Sequence, residues 1–375
     1  MHRLLLTLLL STGAAVLVQS NRSEDIGAKL NAELAACAGR CTVHVPAGNY
    51  LYTTDIVMMR PATLECDGDV VLDYKGTGNA VKLGRDGMTP SNYGPDPYVV
   101  KGCTFTGGER MKAGIFVNEF VVESVISDNY FHNFGNVDAF NIWYQGRNWD
   151  ARVVNNYMWA DSNRTLTYNG IAQNAADPAN KVSGDFGQSQ LFLLNNHLQN
   201  IARHQEGVGV YVNGVNGQLI DNVIAGFAPN IQLGAFSNGS QIKNVTMERS
   251  TPGPAPCIAF GDSSGARVGY FVDGVTISDS TCNVHNTDFG TAAHFLGPST
   301  GKSGMQGFRL INNAIPSSAE NEPIVQMNDL PSQYGNYATL NRIGVRIPLG
   351  TAVSRLHANG TRISKWAGSD EELSK

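Results

Sequence analysis

The densest group of chemistry-bearing residues in the sequence is the short run Arg203-His204-Gln205-Glu206. It combines a permanent cation, an imidazole that titrates near neutral pH and a carboxylate. These groups suit β-elimination from a uronate sugar, in which a base removes the C5 proton and a positive charge offsets the charge of the enolate. We therefore predict Glu206, His204 and Arg203 as catalytic residues, with His132 as an alternative base.

Asp138 and Asn169 share with Glu206 a position directly before a short apolar segment. If these segments are stacked strands about 4.8 Å apart, the three side chains form a column about 10 Å long. Two carboxylates that bracket an amide suit a calcium ion, or an acid and base on either side of a glycosidic bond. The alternative is that all three residues cap turns. We predict Asp138 as a further catalytic residue and Asp138, Asn169 and Glu206 as ligands of calcium, with no other cofactor.

Aromatic and amide side chains near the same segments predict contacts with a sugar. Trp143 follows the Asp138 segment, and Tyr211 lies in the segment that follows Glu206. Aromatic rings beside polar groups suit sugars, whose C–H faces are apolar; the alternative is that the rings pack against a loop over residues 160–187. The predicted substrate-binding residues are Asn141, Trp143, Asn169, Tyr211, Gln232 and His294.

A repeated motif predicts the elements that must position these side chains. Two apolar residues, a polar residue and Asn recur at variable intervals, which is typical of a solenoid whose coils carry loops of different length. Asn tolerates the left-handed conformation of a tight corner, and stacked amides can hydrogen-bond along the solenoid axis. The corner positions are Asn129, Asn156, Asn196, Asn222, Asn244 and Asn313, with Gly274 in the same slot of another copy.

A second series of short segments lies upstream of each corner and alternates in the manner of strands. Together with earlier apolar segments from residue 42 onward, the series predicts about ten coils. Its members are Gly114–Val117, Ala139–Trp143, Gly170–Gln173, Gly207–Tyr211, Asn230–Leu233, Cys257–Phe260, Ala293–Phe295 and Ile324–Met327.

The start of this series resembles a known superfamily. Ile26, Leu30 and Leu34 recur on one face of a predicted helix, which is followed by the run Thr42-Val-His-Val-Pro-Ala-Gly-Asn-Tyr50. This arrangement resembles the opening of pectate-lyase-like proteins, and the Asn corners extend the resemblance to about residue 345. The resemblance implies an all-β fold, a right-handed single-stranded parallel β-helix closed by an N-terminal capping helix.

The resemblance implies no single reaction, because the fold hosts many activities. The paired aspartates and His-Gly of polygalacturonases, the Arg-x-Pro-x-x-Arg of pectate lyases and the Asp-Pro-His-Asp of mannuronan epimerases are missing from the sequence. In residue types alone, the predicted column is similar to the calcium-binding group of chondroitinase-B-like and alginate-lyase-like members. A β-sandwich is the rival fold, but its Asn-Gly hairpin signals do not recur at the interval that it requires.

Composition and cysteines fit an exported all-β protein. Only 16% of the 375 residues are charged and 41 are Gly, while a net charge of −5 gives no reason to expect nucleic acid or an anionic membrane as partner. Six cysteines in an exported chain predict disulfides rather than a zinc site, since no Cys-x-x-Cys spacing is present. The predicted pairs are Cys37 with Cys41, Cys66 with Cys103 and Cys257 with Cys282.

The first residues predict a secretory signal. A basic start is followed by an apolar run too short to span a bilayer, with cleavage after Ser20 or, alternatively, after Ala15. The predicted organisation is a signal peptide over 1–20, a cap helix and turn over 21–41, a β-helix over 42–350 and a tail over 351–375. The mature chain should be secreted or periplasmic, monomeric and free of membrane spans.

These observations predict a polysaccharide-active enzyme, preferably a lyase acting by β-elimination on a uronate-containing chain. A glycoside hydrolase on the same fold is the first alternative, with two carboxylates as acid and base. The second alternative is a non-catalytic carbohydrate-binding or surface protein, which would need the aromatic side chains but not the ionisable ones.

Overall fold

The fold was analysed in a computed structural model. It describes residues 15–17, 25–37, 40–89, 91–92, 96–136, 138–173, 190–202, 207–234, 237–249, 257–260, 271–284, 295–296, 304–306, 308–314, 325–327, 340–346 and 357–358.

One helix and three parallel sheets make up this part of the chain, with strands numbered β1 to β32 in chain order. The helix α1 spans Ile26–Ala36. The eleven-stranded sheet, called the first face, contains β3 (Ile56–Met58), β5 (Asn79–Leu83), β8 (Ala113–Val117), β11 (Phe140–Tyr144), β14 (Asn169–Gln173), β17 (Val210–Val212), β20 (Ile231–Leu233), β23 (Ile258–Phe260), β27 (Phe295–Leu296), β30 (Val325–Met327) and β32 (His357–Ala358).

The nineteen-stranded sheet bends around a corner, because its long strands pair with two separate series of short ones. The long strands are β2 (Thr42–Tyr52), β4 (Thr63–Tyr74), β29 (Phe308–Ala314) and β31 (Leu340–Arg346). The short strand β1 (Ala15–Leu17) pairs with the start of β2. The second face contains β6 (Val99–Lys101), β9 (Val125–Ser127), β12 (Ala151–Val154), β15 (Leu191–Leu194), β18 (Gln218–Ile220), β21 (Gln241–Lys243) and β25 (Thr276–Ser278). The third face contains β7 (Thr104–Gly107), β10 (Tyr130–His132), β13 (Tyr157–Ala160), β16 (His197–Asn200), β19 (Val223–Ala225), β22 (Thr246–Arg249) and β26 (Thr281–Val284). A separate pair is formed by β24 (Phe271–Asp273) and β28 (Gly304–Gln306).

Each coil visits the three faces in turn, as in the path β8, β9, β10, β11, and neighbouring coils pair in parallel. This is a parallel β-helix, and the predicted fold is confirmed. Each predicted upstream segment overlaps a strand of the first face within the described residues, and stacked inward side chains fix the register there. That buried file includes Ile115, Ile142, Ile171, Val210 and Ile231.

The corner between the second and third faces contains two files of polar side chains rather than the single predicted one. The inner file is Asn129, Asn156, Asn196 and Asn222, all of them buried. In this file the Oδ1 atom of Asn156 accepts hydrogen bonds from the backbone N–H of Asn129 at 3.1 Å and from its Nδ2 at 3.0 Å. The same pattern repeats along the file, so the predicted amide ladder is confirmed for these four residues.

The left-handed conformation belongs to the residue before each ladder position, so the prediction that one Asn does both jobs is wrong. Asp128, Asn155 and Asn195 have φ angles of 57°, 56° and 53°. Their side chains form an exposed outer file, in which Asn155 Nδ2 donates to Asp128 Oδ1 at 3.2 Å and Asn195 Nδ2 donates to Asn155 Oδ1 at 2.9 Å. Turning the backbone and bridging the coils are thus divided between adjacent residues.

Two further predicted ladder positions are wrong. Asn244 pairs with Asp221 in the exposed outer file, and buried Val245 takes the ladder position of that coil. In the next coil Ser280 occupies the ladder position instead of Gly274, since its Oγ accepts from the Val245 N–H at 3.1 Å. Asn313 then continues the ladder by accepting from the Ser280 N–H at 2.9 Å.

The helix α1 caps the first coils as predicted. Asp25 is its N-cap and accepts from the Gly27 N–H at 2.9 Å, which satisfies one of the free amide groups at the helix start. Ile26, Leu30 and Leu34 are buried, and the helix packs on β2 and β3. The apolar side of α1 therefore covers the open end of the β-helix core.

All three predicted disulfides are present. The Cα atoms are 5.8 Å apart in Cys37–Cys41, 5.1 Å in Cys66–Cys103 and 6.0 Å in Cys257–Cys282. Within the described residues, no helix is long and apolar enough to cross a bilayer.

The ends of the predicted domains carry strands of the two main sheets. In the predicted signal peptide, β1 pairs with the start of β2, while residues 1–14 and 18–20 lie outside the described residues. At the other end, β32 pairs with β30, so the first face continues beyond the predicted boundary at 350.

Candidate functional site

The predicted catalytic residues fall into two groups. Arg203, His204 and Glu206 lie outside the described residues, so their roles stay predictions. His132 is the last residue of β10, on the outer side of the third face. Asp138 is exposed in the turn that leads from β10 to β11, and its backbone N–H donates to Asn136 Oδ1 at 2.9 Å.

The column of Asp138, Asn169 and Glu206 does not form as predicted. The strand pairing between β11 and β14 is displaced by two residues from the predicted register. Ile142 stacks on Ile171, so Asn169 lies opposite Phe140 rather than Asp138. Apolar stacking inside the β-helix sets this register. The Asn169 side chain serves the backbone, since Oδ1 accepts from the Val208 N–H at 3.1 Å and Nδ2 donates to the Ala139 carbonyl at 3.4 Å.

The calcium prediction gains no support from this geometry. Among the described residues, no three His, Cys, Asp or Glu side chains converge as a metal would need. The amide oxygen of Asn169 already accepts a backbone N–H, and Glu206 lies outside the described residues.

Three of the predicted substrate-binding residues share one row of the first face. Trp143, Tyr211 and Gln232 are joined in register through Ala172. Tyr211 and Gln232 are buried, at 8% and 5% exposure, and Trp143 is half-buried and packs edge-on against Phe116 at 5.6 Å. The row therefore exists, but it is not an open surface.

Of the remaining predicted contacts, the two that the structure describes are not exposed on this face either. Asn141 is fully buried, with its Nδ2 4.0 Å from Met158 Sδ. Asn169 is tied to the backbone, and His294 lies outside the described residues.

The third face carries a His–Asp pair of which only the histidine was predicted. His132 Nε2 lies 3.0 Å from Asp161 Oδ2, and the two side chains are 38% and 35% exposed. Because an ionised carboxylate can only accept, Nε2 must donate, and Nδ1 of the neutral ring keeps its lone pair. Among the described residues no group hydrogen-bonds to Nδ1, which the ring directs away from the pair.

Asp161 is fixed by two further side-chain donors. Trp159 Nε1 donates to Oδ1 at 2.6 Å and Asn133 Nδ2 donates to Oδ2 at 2.7 Å. In return, the Asp161 N–H donates to Asn133 Oδ1 at 2.8 Å. Partial burial raises the pKa of the Asp161 carboxyl, but hydrogen bonds from Trp159, Asn133 and His132 outweigh burial and hold the pKa below its usual range.

Arg164 holds the turn that supports this pair. Its NH1 donates to the Asn133 carbonyl at 2.6 Å and its NH2 to the Gly135 carbonyl at 2.7 Å. The guanidinium also lies over the ring of Tyr168 at 5.2 Å, and burial lowers its pKa. The cation is occupied with main-chain oxygens, so its role is to position the turn.

Aromatic rings extend from the His132–Asp161 pair along the third face. Tyr130, Tyr157 and His197 occupy equivalent positions on three successive coils. The ring centroids of Tyr130 and Tyr157 are 5.4 Å apart, and those of Tyr157 and His197 are 4.6 Å apart. All three side chains are half-buried on the outer side of the sheet, in contrast to the row on the first face.

Sequence reasoning missed Asp161, Trp159 and Arg164. A signal was present, because the 27-residue interval between Asn129 and Asn156 places Trp159 beside His132 and Asp161 just beyond Asn133. Aligning residues on the downstream side of each corner, as well as upstream, would have brought these side chains together.

Comparison with known proteins supports the fold. No family model matches the chain, and no curated protein matches its sequence. The A-module of mannuronan C-5 epimerase AlgE4 from Azotobacter vinelandii is similar in structure, with 14% identity and a TM-score of 0.55 over 91% of this chain and 96% of that one. Polygalacturonase from Erwinia carotovora ssp. carotovora has 10% identity and a TM-score of 0.57 over 93% of this chain and 96% of that one. The likeness to these two structures supports the parallel β-helix fold.

Proposed function

We propose that this pectate-lyase-like β-helix is an exported polysaccharide-active enzyme, and that it cleaves a uronate-containing chain by β-elimination with His132 as the base. The observation that carries the proposal is the geometry of Asp161, which accepts from His132, Trp159 and Asn133 and leaves His132 Nδ1 without a partner among the described residues. The names of the two similar structures refer to polymers of uronic acids, which supports the choice of substrate class.

In the proposed reaction His132 Nδ1 removes the C5 proton of the uronate residue. The electron pair forms the C4–C5 double bond, the bond from C4 to the glycosidic oxygen breaks, and the leaving oxygen takes up a proton from water. The imidazolium that forms is stabilised by the Asp161 carboxylate, much as a carboxylate orients a catalytic histidine in other enzymes. A cation beside the sugar carboxylate would offset the enolate charge, and Arg203 remains our predicted source of it.

Export is the second part of the proposal. Three disulfides are expected in an oxidising compartment, because cytosolic thiols are kept reduced. The basic and apolar start of the chain supports the same conclusion. N-terminal sequencing of protein recovered from the medium or periplasm would test cleavage after Ser20, and an intact Met1 would contradict it.

Two other functions have specific support. A glycoside hydrolase would use exposed Asp138 with a second carboxylate, for which Glu206 is the predicted partner. A non-catalytic carbohydrate-binding protein would use the half-buried rings of the third face without needing the His132–Asp161 pair. The two enzymes differ in product, since hydrolysis creates reducing ends without unsaturated sugars.

The test is a polysaccharide panel assayed for unsaturated products and reducing ends together. A lyase gives both signals in proportion, and a hydrolase gives only the second. His132→Gln should lower turnover by about a hundredfold or more, as expected for loss of a general base. His44→Gln is the matched control, because His44 also contacts an aspartate, Asp67, at 3.0 Å but lies on another part of the β-helix. Full activity of His132→Gln would refute the role given to this residue.

A further inference from the structure

The outer side of the third face has an unusual composition on three successive coils. Its strands alternate, so that Phe131, Met158 and Leu198 are fully buried inside the β-helix while their neighbours face outward. The outward neighbours form two rows in register. One row is Thr104, Tyr130, Tyr157, His197 and Val223, and the other is Thr106, His132, Trp159, Gln199 and Ala225.

The large side chains in these rows are confined to the three coils that contain the candidate site. On either side the rows continue with Thr104 and Thr106 or with Val223 and Ala225, which are much smaller. Rings are not needed there to fill the core, because the inward residues of the same strands already do so. The large outward side chains therefore form a raised band on the surface of these coils, with small residues at each end. The band consists of Tyr130, His132, Tyr157, Trp159, His197 and Gln199.

Contacts among the rings hold the band in one arrangement. Tyr157 stacks on His197 with an angle of 21° between the ring planes, and Tyr157 and Trp159 are separated by 6.1 Å with an angle of 15°. His197 Nε2 and Gln199 Oε1 are 3.1 Å apart, which fixes the end of the band. Because these rings are already ordered, little side-chain conformational entropy is lost when a ligand binds to them.

The band offers both apolar and hydrogen-bonding groups. The outermost ring faces border the small residues at the two ends, where the C–H face of a sugar could pack on them. The hydroxyl groups of Tyr130 and Tyr157 have no hydrogen-bond partner among the described residues. Neither row contains Lys or Arg, so attraction between charges contributes little to binding at this surface.

We infer that this band binds pyranose residues of a polysaccharide chain that extends along the β-helix axis from His132 toward His197. The inference rests on the proposed function for the kind of ligand and adds where the chain lies. Strand spacing of about 4.8 Å sets the distance between successive rings, so successive sugars would meet successive coils. Tyrosine hydroxyl groups and ring edges along the band, together with stacking on the outermost ring faces, would hold the chain.

The test separates binding from turnover. Affinity for the polysaccharide that is cleaved best is measured by calorimetry with Asp161→Asn, in which turnover should be lost while the band is intact. Adding Tyr157→Leu to this variant, which keeps an apolar side chain, should weaken binding by about tenfold, or about 1.4 kcal/mol. The control adds Phe192→Leu, which removes a half-buried outward ring from β15 on the second face and should leave the affinity unchanged.

Each outcome decides one claim. Equal affinity in the Tyr157→Leu and Phe192→Leu backgrounds would overturn the binding band, whatever the effect of Asp161→Asn on turnover. Full turnover of Asp161→Asn would instead overturn the catalytic pair and leave the binding result standing. Self-association that is lost in Tyr157→Leu, with unchanged sugar binding, would assign the band to a protein interface and refute the inference.

Discussion

Among the residues that the structure describes, two His–Asp pairs have nearly the same contact distance and very different surroundings. His132 lies 3.0 Å from Asp161, and His44 lies 3.0 Å from Asp67. Asp161 also accepts from Trp159 and Asn133, whereas His44 supplies the only side-chain hydrogen bonds to Asp67 among the described residues. The contact alone therefore does not distinguish a candidate site from a surface ion pair; the groups that hold the carboxylate do.

The difference has a physical basis. A partly exposed carboxylate with a single partner gains little free energy from the contact and keeps its mobility. A carboxylate held by several donors has one orientation, and it holds its histidine in one orientation and one tautomer. The Asp161 pair also adjoins a band of aromatic rings, which the structure does not place beside Asp67. We expect chemistry at the first pair and none at the second.

Replacing each aspartate by asparagine tests this comparison, and we expect it to have the largest effect on turnover. Asp161→Asn should lower kcat by about a hundredfold or more, because the imidazolium loses its counter-charge and the ring its fixed tautomer. Asp67→Asn removes the equivalent charge from the other pair and should leave kcat unchanged. Steady-state kinetics on the same polysaccharide compares them, and equal losses would show that the pairs do not differ as described.

The corner ladder allows loss of activity to be separated from loss of fold. Asn156→Ala removes a buried amide that accepts two hydrogen bonds from Asn129, and it should lower the free energy of unfolding by about 2 to 4 kcal/mol. Asn155→Gly is the matched control, because Gly tolerates the φ angle of 56° and the side chain is exposed; it should cost less than about 0.5 kcal/mol. Urea unfolding measures both, and equal costs would contradict the division between the two files.

Removing one donor from Asp161 should have an intermediate effect. Trp159→Phe keeps a ring on the third face but deletes the Nε1 hydrogen bond to Oδ1. Loss of one hydrogen bond to a charged group should lower kcat by about tenfold with a smaller change in KM, since the ring surface remains. An effect on KM alone would show that Trp159 contacts substrate without positioning Asp161.

Lowering the pH should show, as a smaller effect on stability, how the hydrogen-bond donors stabilise the Asp161 carboxylate. The folded pKa of Asp161 is below the unfolded value, so the stabilisation from this carboxylate is present above about pH 4 and is lost as the pH falls through the folded pKa. Trp159→Phe should raise the folded pKa and shift this loss to higher pH. Carbon-13 NMR titration of the Asp161 carboxyl measures the shift, and an unchanged midpoint would mean that Trp159 does not stabilise the charge.

The fold could be predicted from the sequence because many independent copies of one motif point to it. Each Asn corner is a weak signal, but stacking requires all of them together, as it does for the strands of the first face. Two errors were shifts of one or two residues, at Asn244 and in the column from Asp138 to Asn169, and a larger one put Gly274 in the ladder position that Ser280 occupies. Loops of different length between coils hide the register, which only the packing of inward side chains determines.

The site was harder to predict because it depends on exposure and on contacts across coils. Trp143 and Tyr211 were both predicted to contact a sugar, yet Tyr211 is buried, whereas Tyr157, which was not predicted, is half-buried on the outer side of its strand. Period-two alternation gives the side of a strand but not what covers it. His132 was recognised by residue type, whereas Asp161 required knowing that its turn folds back beside the end of β10.

A crystal structure of Asp161→Asn with a bound oligosaccharide tests the central claim most directly, because it compares the faces in one experiment. We predict a sugar residue within hydrogen-bonding distance of His132 Nδ1, with further residues over Tyr157 and His197. Sugar bound instead along Trp143 and Tyr211 on the first face, with no contact to His132, would contradict the account.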